Sequence, residues 1–480
     1  MKKPWLLACL VLAVLADLVF TYAQNLRLTI DGDLAAIVVP RADYAAVLHD
    51  PFGLGVLLTG GWYSAPNRFF SHIMMREYCL HMPLALQAVS SPITSVYASM
   101  ALLNVLVQAL LLYVLGWYAT GTRRLGSLRL WVAMALLVPF FQTSGYNGQM
   151  AIIDNSFTYN FFYAIPVLLL LVLLWPLFRA AWCGQPLRLA WYQLVAMLLL
   201  SVVLALSGPI IGGAVLVLLV GVGVRAGRQR WQLPAAERLR YLSWQGFLVC
   251  GWLGAWCLYS LYIGRHNTEN LAVTISVWQR YQLVPHGIFD ELTSKLGLPL
   301  LVAGCLGNAW LIRRRLPATA EGLRIRKVLR WIGWFALVYV ALLPLGGYRS
   351  YRPLILRHDS ILPITIALVA FYALSTSYLL EHWAGQLRRW YGLGVLGVAF
   401  VFMYADHRLY PRHDNACERQ ALALLGQADA EPTVQLPDDC TVMSWKPITN
   451  PSESATNAEL LSHWSVTKGH KLYYYSGQWH

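Results

Sequence analysis

Charge is scarce in this sequence of 480 residues, since Asp, Glu, Lys and Arg together make up only 12% of it. The sequence also lacks a glycine-rich phosphate loop of the Walker or Rossmann type, a Cys/His spacing typical of zinc sites, and a clear internal repeat. These absences argue against a nucleotide-binding domain and against a repeat architecture. Without an ATPase signature, we do not expect a self-contained primary pump.

Apolar residues dominate instead. Hydrophobic residues make up 58% of the chain, with 20 Trp and 26 Tyr. We therefore predict an all-α polytopic membrane protein of about eleven transmembrane helices, because its apolar runs approach the ~20 residues that cross a hydrocarbon core. A membrane domain (1–405) is expected to precede a small tail domain (406–480). The predicted spans are residues 4–23, 94–119, 128–141, 161–178, 189–206, 210–224, 243–263, 297–312, 330–346, 361–380 and 391–405.

The basic residues favour one orientation of these spans. Lys2 and Lys3 precede the first span, which places the N-terminus in the cytoplasm. More than half of the 37 Lys and Arg residues, Arg238 and Arg240 among them, then fall in short loops on that same side. The net charge of +14 thus acts as an orientation signal and contacts anionic membrane lipid, and it requires no nucleic acid.

This topology has consequences for both ends of the chain. The first span could be a cleaved signal peptide, but we expect a retained helix. An odd number of spans then places the C-terminus on the outer face. The short basic N-terminus favours a bacterial inner membrane, with a periplasmic or extracellular tail.

An acidic triplet, Asp31-Gly32-Asp33, follows the first span and emerges on the outer face close to the bilayer. Carboxylates at this depth contribute little to packing and are well placed for chemistry on a substrate carried by a lipid. The alternative is an ordinary polar loop. A further acid, Asp17, lies within the first span, where a carboxylate is costly. We expect Asp17 to pair with another helix.

The first outer segment, residues 24–93, contains an amphipathic stretch at Pro66–Met82. Arg68, His72 and Arg76 recur every four residues, on a different face from its apolar side chains. This pattern predicts an interfacial helix with its apolar face in lipid and a cationic stripe toward headgroups or a phosphate. Headgroup anchoring alone is the alternative to a ligand role for Arg68.

The second outer loop, residues 142–160, has one acid, no basic residue and many amides and hydroxyls. Such a surface suits sugar hydroxyls, or a divalent cation bound by oxygen ligands. In the alternative interpretation, Asp154 or Asn155 simply caps the next helix. The residues singled out here are Tyr146, Asn147, Asp154, Asn155 and Tyr159.

A third outer segment, residues 345–359, places Arg349, Arg352, Arg357 and His358 at a membrane boundary where the orientation rule disfavours them. Guanidinium groups match phosphate oxygens bidentately, so these residues are predicted to bind a phosphate. The alternatives are a misassigned topology or side chains that only reach the interface.

Cysteines divide into two groups. Those in or beside the spans are interpreted as small core residues. Cys417 and Cys440 lie in the outer tail and are predicted to form a disulfide in an oxidising compartment.

These outer features predict one reaction. The arginines would neutralise charge developing on a lipid phosphate as it leaves, and a carboxylate would accept the proton of an attacking hydroxyl. Direct displacement would invert the anomeric carbon. The expected activity is glycosyl transfer from a polyprenyl-phosphate sugar to a glycan, lipid or protein acceptor. A transporter or flippase of lipid-linked glycans, and a surface-polysaccharide polymerase or ligase, are the alternatives.

The acidic motif after the first span, the long first outer loop, the acid in the next loop and the basic outer cluster resemble the GT-C superfamily of polytopic glycosyltransferases. The resemblance implies a GT-C-like architecture over residues 1–405. It also implies that Asp31 or Asp33 is the base and that Asp154 supports the acceptor or a metal. If a divalent cation such as Mg²⁺ or Mn²⁺ takes part, Asp31, Asp33 and Asp154 would be its ligands.

Overall fold

The computed structural model describes residues 4–231, 243–272, 275–428, 432–437 and 440–475. Lys2, Lys3, Arg238 and Arg240, which contributed to the predicted orientation, lie outside these residues. The protein is 72% helical with little sheet. Its architecture is that of a helical polytopic membrane protein.

The elements are described in chain order. In the first half the helices are α1 (Pro4–Asn25), α2 (Leu34–Val38), α3 (Ala42–His49), α4 (Leu54–Thr59), α5 (Phe69–Leu86), α6 (Pro92–Thr120), α7 (Leu128–Leu137), α8 (Asn147–Met150), α9 (Phe157–Phe162), α10 (Ala164–Cys183), α11 (Trp191–Ala205) and α12 (Pro209–Trp231). In the second half they are α13 (Trp244–Gly264), α14 (Val277–Thr293), α15 (Gly297–Arg315), α16 (Ala320–Leu342), α17 (His358–His382), α18 (Gly385–Ala405), α19 (Ala416–Gln427) and α20 (Ala455–His463), with strands β1 (Thr433–Leu436) and β2 (Leu472–Tyr475).

Seven helical segments among the described residues are long and apolar enough to cross a membrane. The number rises to eight if α14 and α15, which meet at a bend of 83°, are one broken span. Helices α7 and α11 are apolar but shorter. Each of the predicted spans overlaps a helix, the last of them α18. The seven segments are α1, α6, α9 with α10, α12, α13, α16 and α17.

Helices α6 and α17 form the centre of the bundle. Local sequence sets the limits of α6, because the Ser91 side chain accepts a hydrogen bond from the backbone N–H of Thr94 and Gly121 ends the helix at a φ of 71°. Helix α17 packs against α6, α7, α15 and α16. Leu111 of α6 and Val369 of α17 are fully buried in the shared core.

Intramembrane polar side chains pair between helices. Gln108 of α6 donates to Asp17 of α1 at 3.3 Å, so Asp17 does pair with another helix. Near the end of α1, Asn104 donates to Asn25 at 2.7 Å and accepts from Asn160 at 3.0 Å. This amide chain connects α1, α6 and α9.

The first outer segment folds onto the bundle. Helix α5 packs against α2, α6 and α9, and His72 is 1% exposed between the rings of Tyr44 and Phe162. Burial lowers the pKa of His72 to about 3, with help from Arg68, so the imidazole is neutral. Arg76 pairs with Glu77. The predicted cationic stripe is therefore wrong, because one of its three members is buried and uncharged.

The tail packs on the same end of the bundle as this first segment. Cys417 and Cys440 form a disulfide, and β1 pairs with β2 in parallel, Thr433 opposite Leu472. Glu418 accepts hydrogen bonds from the backbone N–H groups of Ile30 and Met443, each at 2.9 Å, and from the Tyr97 hydroxyl at 2.8 Å. The buried side chains of the tail are continuous with the main core.

Candidate functional site

The two carboxylates of the acidic triplet have different surroundings and different hydrogen-bond partners. Asp31 is buried and accepts from the Thr158 hydroxyl at 2.7 Å, from the Thr158 backbone N–H at 2.9 Å and from the Asp33 backbone N–H at 3.1 Å. It therefore satisfies the first turn of α9, whose N–H groups have no partner within the helix. Burial raises the pKa of Asp31 to about 6, against the effect of these hydrogen bonds. Asp31 therefore has a structural role, because it connects the acidic triplet to α9.

Asp33 is half-buried, unlike the buried Asp31. Burial raises its pKa, while a hydrogen bond from the Trp445 side chain opposes the shift. Glu269 also raises this pKa, and the cations Arg41 and Arg68 lower it. A carboxylate with increased proton affinity beside cations suits a general base.

Gly32, between the two acids, is needed because the tail approaches closely. A Cβ atom at this position would lie 2.6 Å from the Trp445 backbone nitrogen and 2.9 Å from the carbonyl carbon of Ser444. The tail loop, defined as residues 440–445, thus packs directly on the triplet. It delivers the Trp445 indole to Asp33.

Arg352 and Arg357 share one buried carboxylate. Each donates to Oδ2 of Asp359, at 2.8 and 2.5 Å, and Asp359 is 2% exposed. Arg352 also donates to the Tyr163 hydroxyl at 2.8 Å. In both arginines the buried Nε–H has no hydrogen-bond partner among the described residues. Two cations facing one anion leave a net positive charge and N–H donors for a ligand anion.

Arg68 adds a third cation to this pair. No hydrogen bond involves its guanidinium in the part of the chain that the structure describes, and its buried Nε is unpartnered. The guanidinium lies 5.8 Å from the centre of the Phe162 ring, and its charge lowers the pKa of Asp33. We call Arg68, Arg352 and Arg357 the arginine cluster.

The other two residues predicted to bind phosphate are engaged elsewhere. Arg349 bonds to Glu269 at 2.9 Å and to Asn270 at 3.1 Å. Burial would raise the pKa of Glu269, but Arg68 and Arg349 hold it below its usual value. His358 shares a hydrogen bond with Oδ2 of Asp154 at 3.0 Å. Arg349 therefore ties two outer segments together, and His358 forms an acid–imidazole pair.

Both carboxylate oxygens of Asp154 accept hydrogen bonds from within the protein. Its Oδ1 accepts from the Ser156 backbone N–H at 2.8 Å, while Asn160 holds its backbone by two hydrogen bonds. The amide chain from α1 ends here, so the bundle core fixes the Asp154–His358 pair. Asp359, which anchors the arginine cluster, follows His358 directly in sequence.

Aromatic rings connect the acid to the cations. The Tyr159 ring has its centre 5.3 Å from the Arg357 guanidinium and 6.3 Å from the Trp445 ring. Trp445 is 53% exposed. Asp33, Trp445, Tyr159 and Arg357 therefore form a continuous surface of carboxylate, two aromatic faces and guanidinium.

The remaining residues predicted to bind sugar shape the second outer loop. The Asn147 side chain donates to the backbone oxygens of Gln142 and Ile153, and Asn155 donates to that of Thr143. Tyr146 packs edge-on against Phe402. Of the residues predicted to bind sugar, only Tyr159 reaches the arginine cluster.

Two important residues had no sequence signal as site residues. Trp445 is one of 20 tryptophans, and Glu418 lies in a tail helix far along the chain. Their importance follows from contacts with residues about 400 positions earlier in the chain, Gly32 for Trp445 and Ile30 for Glu418.

Asp31, Asp33 and Asp154, which were predicted to bind a divalent cation if one takes part, are not grouped as a metal site. Thr158 and the Asp33 backbone occupy both oxygens of Asp31, and His358 and Ser156 occupy both oxygens of Asp154. Within the described ranges, no three His, Cys, Asp or Glu side chains are grouped as metal ligands. We derive no step through a metal at this site.

Comparison with known proteins does not assign this site. No protein-family model matches the sequence, and no curated protein matches it significantly.

Proposed function

We propose that this membrane protein is a GT-C-like glycosyltransferase that moves a sugar from a polyprenyl-phosphate donor to an acceptor hydroxyl on the outer face of the membrane, with inversion. The proposal includes eleven spans, a cytoplasmic N-terminus and an outer tail in a bacterial inner membrane. It rests on the chemistry of one site and on the resemblance of its motifs to that superfamily.

One observation carries the proposal: the continuous surface from Asp33 through Trp445 and Tyr159 to Arg357. A glycosyl phosphate needs a cationic region for its phosphate, aromatic or polar faces for its ring, and a base for the acceptor. These groups occur here in that spatial order. The surface lies at the ends of apolar helices α1, α10 and α17, where the phosphate of a membrane lipid would be positioned.

The proposed step transfers one proton and one glycosyl group. Asp33 takes the proton of the acceptor hydroxyl, whose oxygen forms a bond to the anomeric carbon from the face opposite the leaving group. The bond between that carbon and the phosphate oxygen breaks, and its electron pair leaves with the polyprenyl phosphate. Arg352 and Arg357 stabilise the additional negative charge through N–H groups that Asp359 does not use. Attack opposite the leaving group inverts the centre.

The test uses proteoliposomes of the full chain with a panel of polyprenyl-phosphate sugars, each combined with glycan, lipid and peptide acceptors, and it measures release of polyprenyl phosphate. We expect Asp33→Asn to lower the rate by at least about a hundredfold, because general-base catalysis contributes on that scale. We expect Arg352→Lys and Arg357→Lys to lower it about tenfold, because Lys keeps the charge but loses the fork.

Two matched controls use a pair of outer residues in α5. Glu77→Gln and Arg76→Lys change a partly exposed ion pair and should leave the rate unchanged. Wild-type release by the Asp33→Asn variant would refute the assignment of the base. Absence of release with every donor, from a folded protein, would refute glycosyl transfer from this donor class.

A transporter of lipid-linked glycans is the second candidate, and two features favour it. Transporters place polar groups and broken helices within the membrane. Here Asp17 and Gln108 meet between α1 and α6, and α14 bends by 83° against α15. Translocation of a fluorescent lipid-linked glycan across vesicles, unaffected by Asp33→Asn, would support transport over transfer.

A further inference from the structure

A cavity of about 880 Å³ opens at the end of the bundle opposite the acidic triplet. Helices α6 and α10 extend from the site to this end. Tyr97 near the start of α6 contacts Glu418, and Tyr163 directly before α10 contacts Arg352. Arg123 follows α6 and Arg179 lies near the end of α10. A rise of 1.5 Å per residue separates the two regions by roughly 30 Å, the thickness of a hydrocarbon core.

Arginines and a tryptophan are among the residues that line the cavity. Arg123, Arg179 and Arg188 all line it, and no acidic side chain does so among the described residues. None of the three guanidiniums forms an ion pair with a described carboxylate. The Arg123 guanidinium lies 4.5 Å from the ring centre of Trp117 and 5.5 Å from that of Trp175. Cation–π contact orients Arg123 without neutralising it.

The interior of the cavity is apolar. Leu173 and Met197, from α10 and α11, are buried beneath it, and Leu200 completes the wall. Val195 and Leu199, which flank these residues on α11, are exposed at 45% and 65%. Exposed aliphatic side chains on a membrane helix face lipid. The cavity is therefore continuous with the lipid-facing surface of the bundle.

We propose that this cavity binds one anionic membrane phospholipid, with the headgroup phosphate held by Arg123, Arg179 and Arg188 and an acyl chain lying against Leu173 and Leu200. Three cations without a carboxylate partner among the described residues provide charge complementarity to a phosphate, and basic pockets between membrane helices suit anionic headgroups. The volume lies within the range of specific ligand pockets. A freely soluble phosphate would leave the apolar wall without a partner. This site is independent of the proposed glycosyl transfer.

The experiment measures the unfolding temperature of the full chain in zwitterionic detergent as phosphatidylglycerol is added. Phosphatidylcholine with the same acyl chains, and inorganic phosphate, are added in parallel. Native mass spectrometry counts the bound lipids. We expect phosphatidylglycerol alone to raise the unfolding temperature, because ligand binding to the folded state stabilises it. The Arg123→Gln/Arg179→Gln variant should bind it at least about tenfold more weakly, since it loses two charged forks.

The matched control is Arg225→Gln/Arg228→Gln, which removes the same charge from the end of α12 without altering the cavity lining. It should bind phosphatidylglycerol like wild type. Ala196→Trp, which fills the cavity from its exposed side and keeps all three arginines, should also weaken binding. Equal losses in the charge variant and its control would refute the site. Equal stabilisation by phosphatidylcholine or by inorganic phosphate would refute an anionic lipid as the ligand.

Discussion

Gly32 shows how one residue type can determine the shape of a site. Its Cβ position is already occupied by the tail backbone, 2.6 Å from the Trp445 nitrogen. We expect Gly32→Ala to displace the tail loop and to cost about 1–3 kcal/mol of stability, as overpacking usually does. Transfer should fall at least about tenfold, because Trp445 would leave Asp33.

The control for this change is Gly126→Ala, since a Cβ at Gly126 has open space around it. Thermal unfolding and donor turnover would be measured for both variants. Similar results for the two would show that the tail loop is not tightly packed on the triplet.

The pH dependence of transfer should report the surroundings of Asp33. Burial raises its pKa, and a base must be deprotonated to act, so the acidic limb of kcat/KM should lie above the usual aspartate value of about 3.9. Arg68 holds this pKa down. Arg68→Gln should therefore move the limb to higher pH, whatever it does to the maximal rate.

Arg76→Gln is the comparison for this pH profile, because Arg76 pairs with Glu77 and has no resolved effect on Asp33. An unchanged limb in the Arg68 variant would contradict the proposed role of Asp33. A shift to lower pH would do the same.

At the scale of elements, the series of hydrogen-bonded side-chain amides of Asn25, Asn104 and Asn160 connects the bundle core to the candidate site. Asn104 bonds to Asn25 and to Asn160, and Asn160 in turn holds the backbone of Asp154. Asn104→Leu leaves two buried amides with unmade hydrogen bonds and should cost about 1–3 kcal/mol in unfolding free energy. Leu106→Ala, on the exposed face of α6, should change it by less than about 0.5 kcal/mol.

If Asn104→Leu lowers the stability but leaves donor turnover unchanged, these amides contribute to folding and not to the geometry of the site. Hydrogen exchange of the second outer loop distinguishes the two cases, because only loss of support for Asp154 accelerates exchange there.

The sequence predicted a helical polytopic membrane protein correctly, because hydropathy over ~20 residues reflects transfer of a single element into lipid. Of the eleven predicted spans, seven or eight correspond to helices long and apolar enough to cross a membrane, and the count of eleven stays a prediction. It failed for α5, because an apolar periodicity shows that one face is buried but does not tell lipid from protein. It also divided the acidic residues poorly. Asp31 and Asp33 look equivalent in sequence, and only the contact between Asp31 and Thr158 distinguishes the structural acid from the acid that we propose as the base.

The third outer segment, residues 345–359, also shows that a local pattern does not reveal which partner each residue has. Arg349, Arg352 and Arg357 share one local pattern, yet Glu269 engages the first and Asp359 the other two. Trp445 and Glu418 could not be found from local sequence, because long-range contacts define them.

At the scale of the whole molecule, the tail is part of the site. Cys417 and Cys440, 23 residues apart, fasten the tail loop to α19. Cys417→Ser should cost about 2–4 kcal/mol. The membrane helices should remain folded while the tail becomes sensitive to protease. Cys183→Ser, at an exposed free thiol, is the control.

Docking of the tail should also depend on pH. Burial raises the pKa of Glu418 to about 7, above its unfolded value of about 4.3. The folded state therefore binds more protons, so the stabilisation is complete below the unfolded pKa and is lost as pH rises through about 7. After correction for the intrinsic pH dependence of amide exchange, we expect higher protection factors in the tail at pH 5 than at pH 8. A Glu418→Gln variant should lose this difference, and an unchanged difference would assign it to another group.

The docking of Trp445 on Gly32 also sets an order of assembly. The triplet is synthesised early and the tail loop more than 400 residues later. Strand β2, which completes the tail sheet by pairing with β1, comes later still. During biogenesis the acid is in place long before its covering tryptophan. The chain therefore completes the candidate site only after all of the membrane helices have been synthesised, so we expect a chain interrupted before the tail to leave this site incomplete.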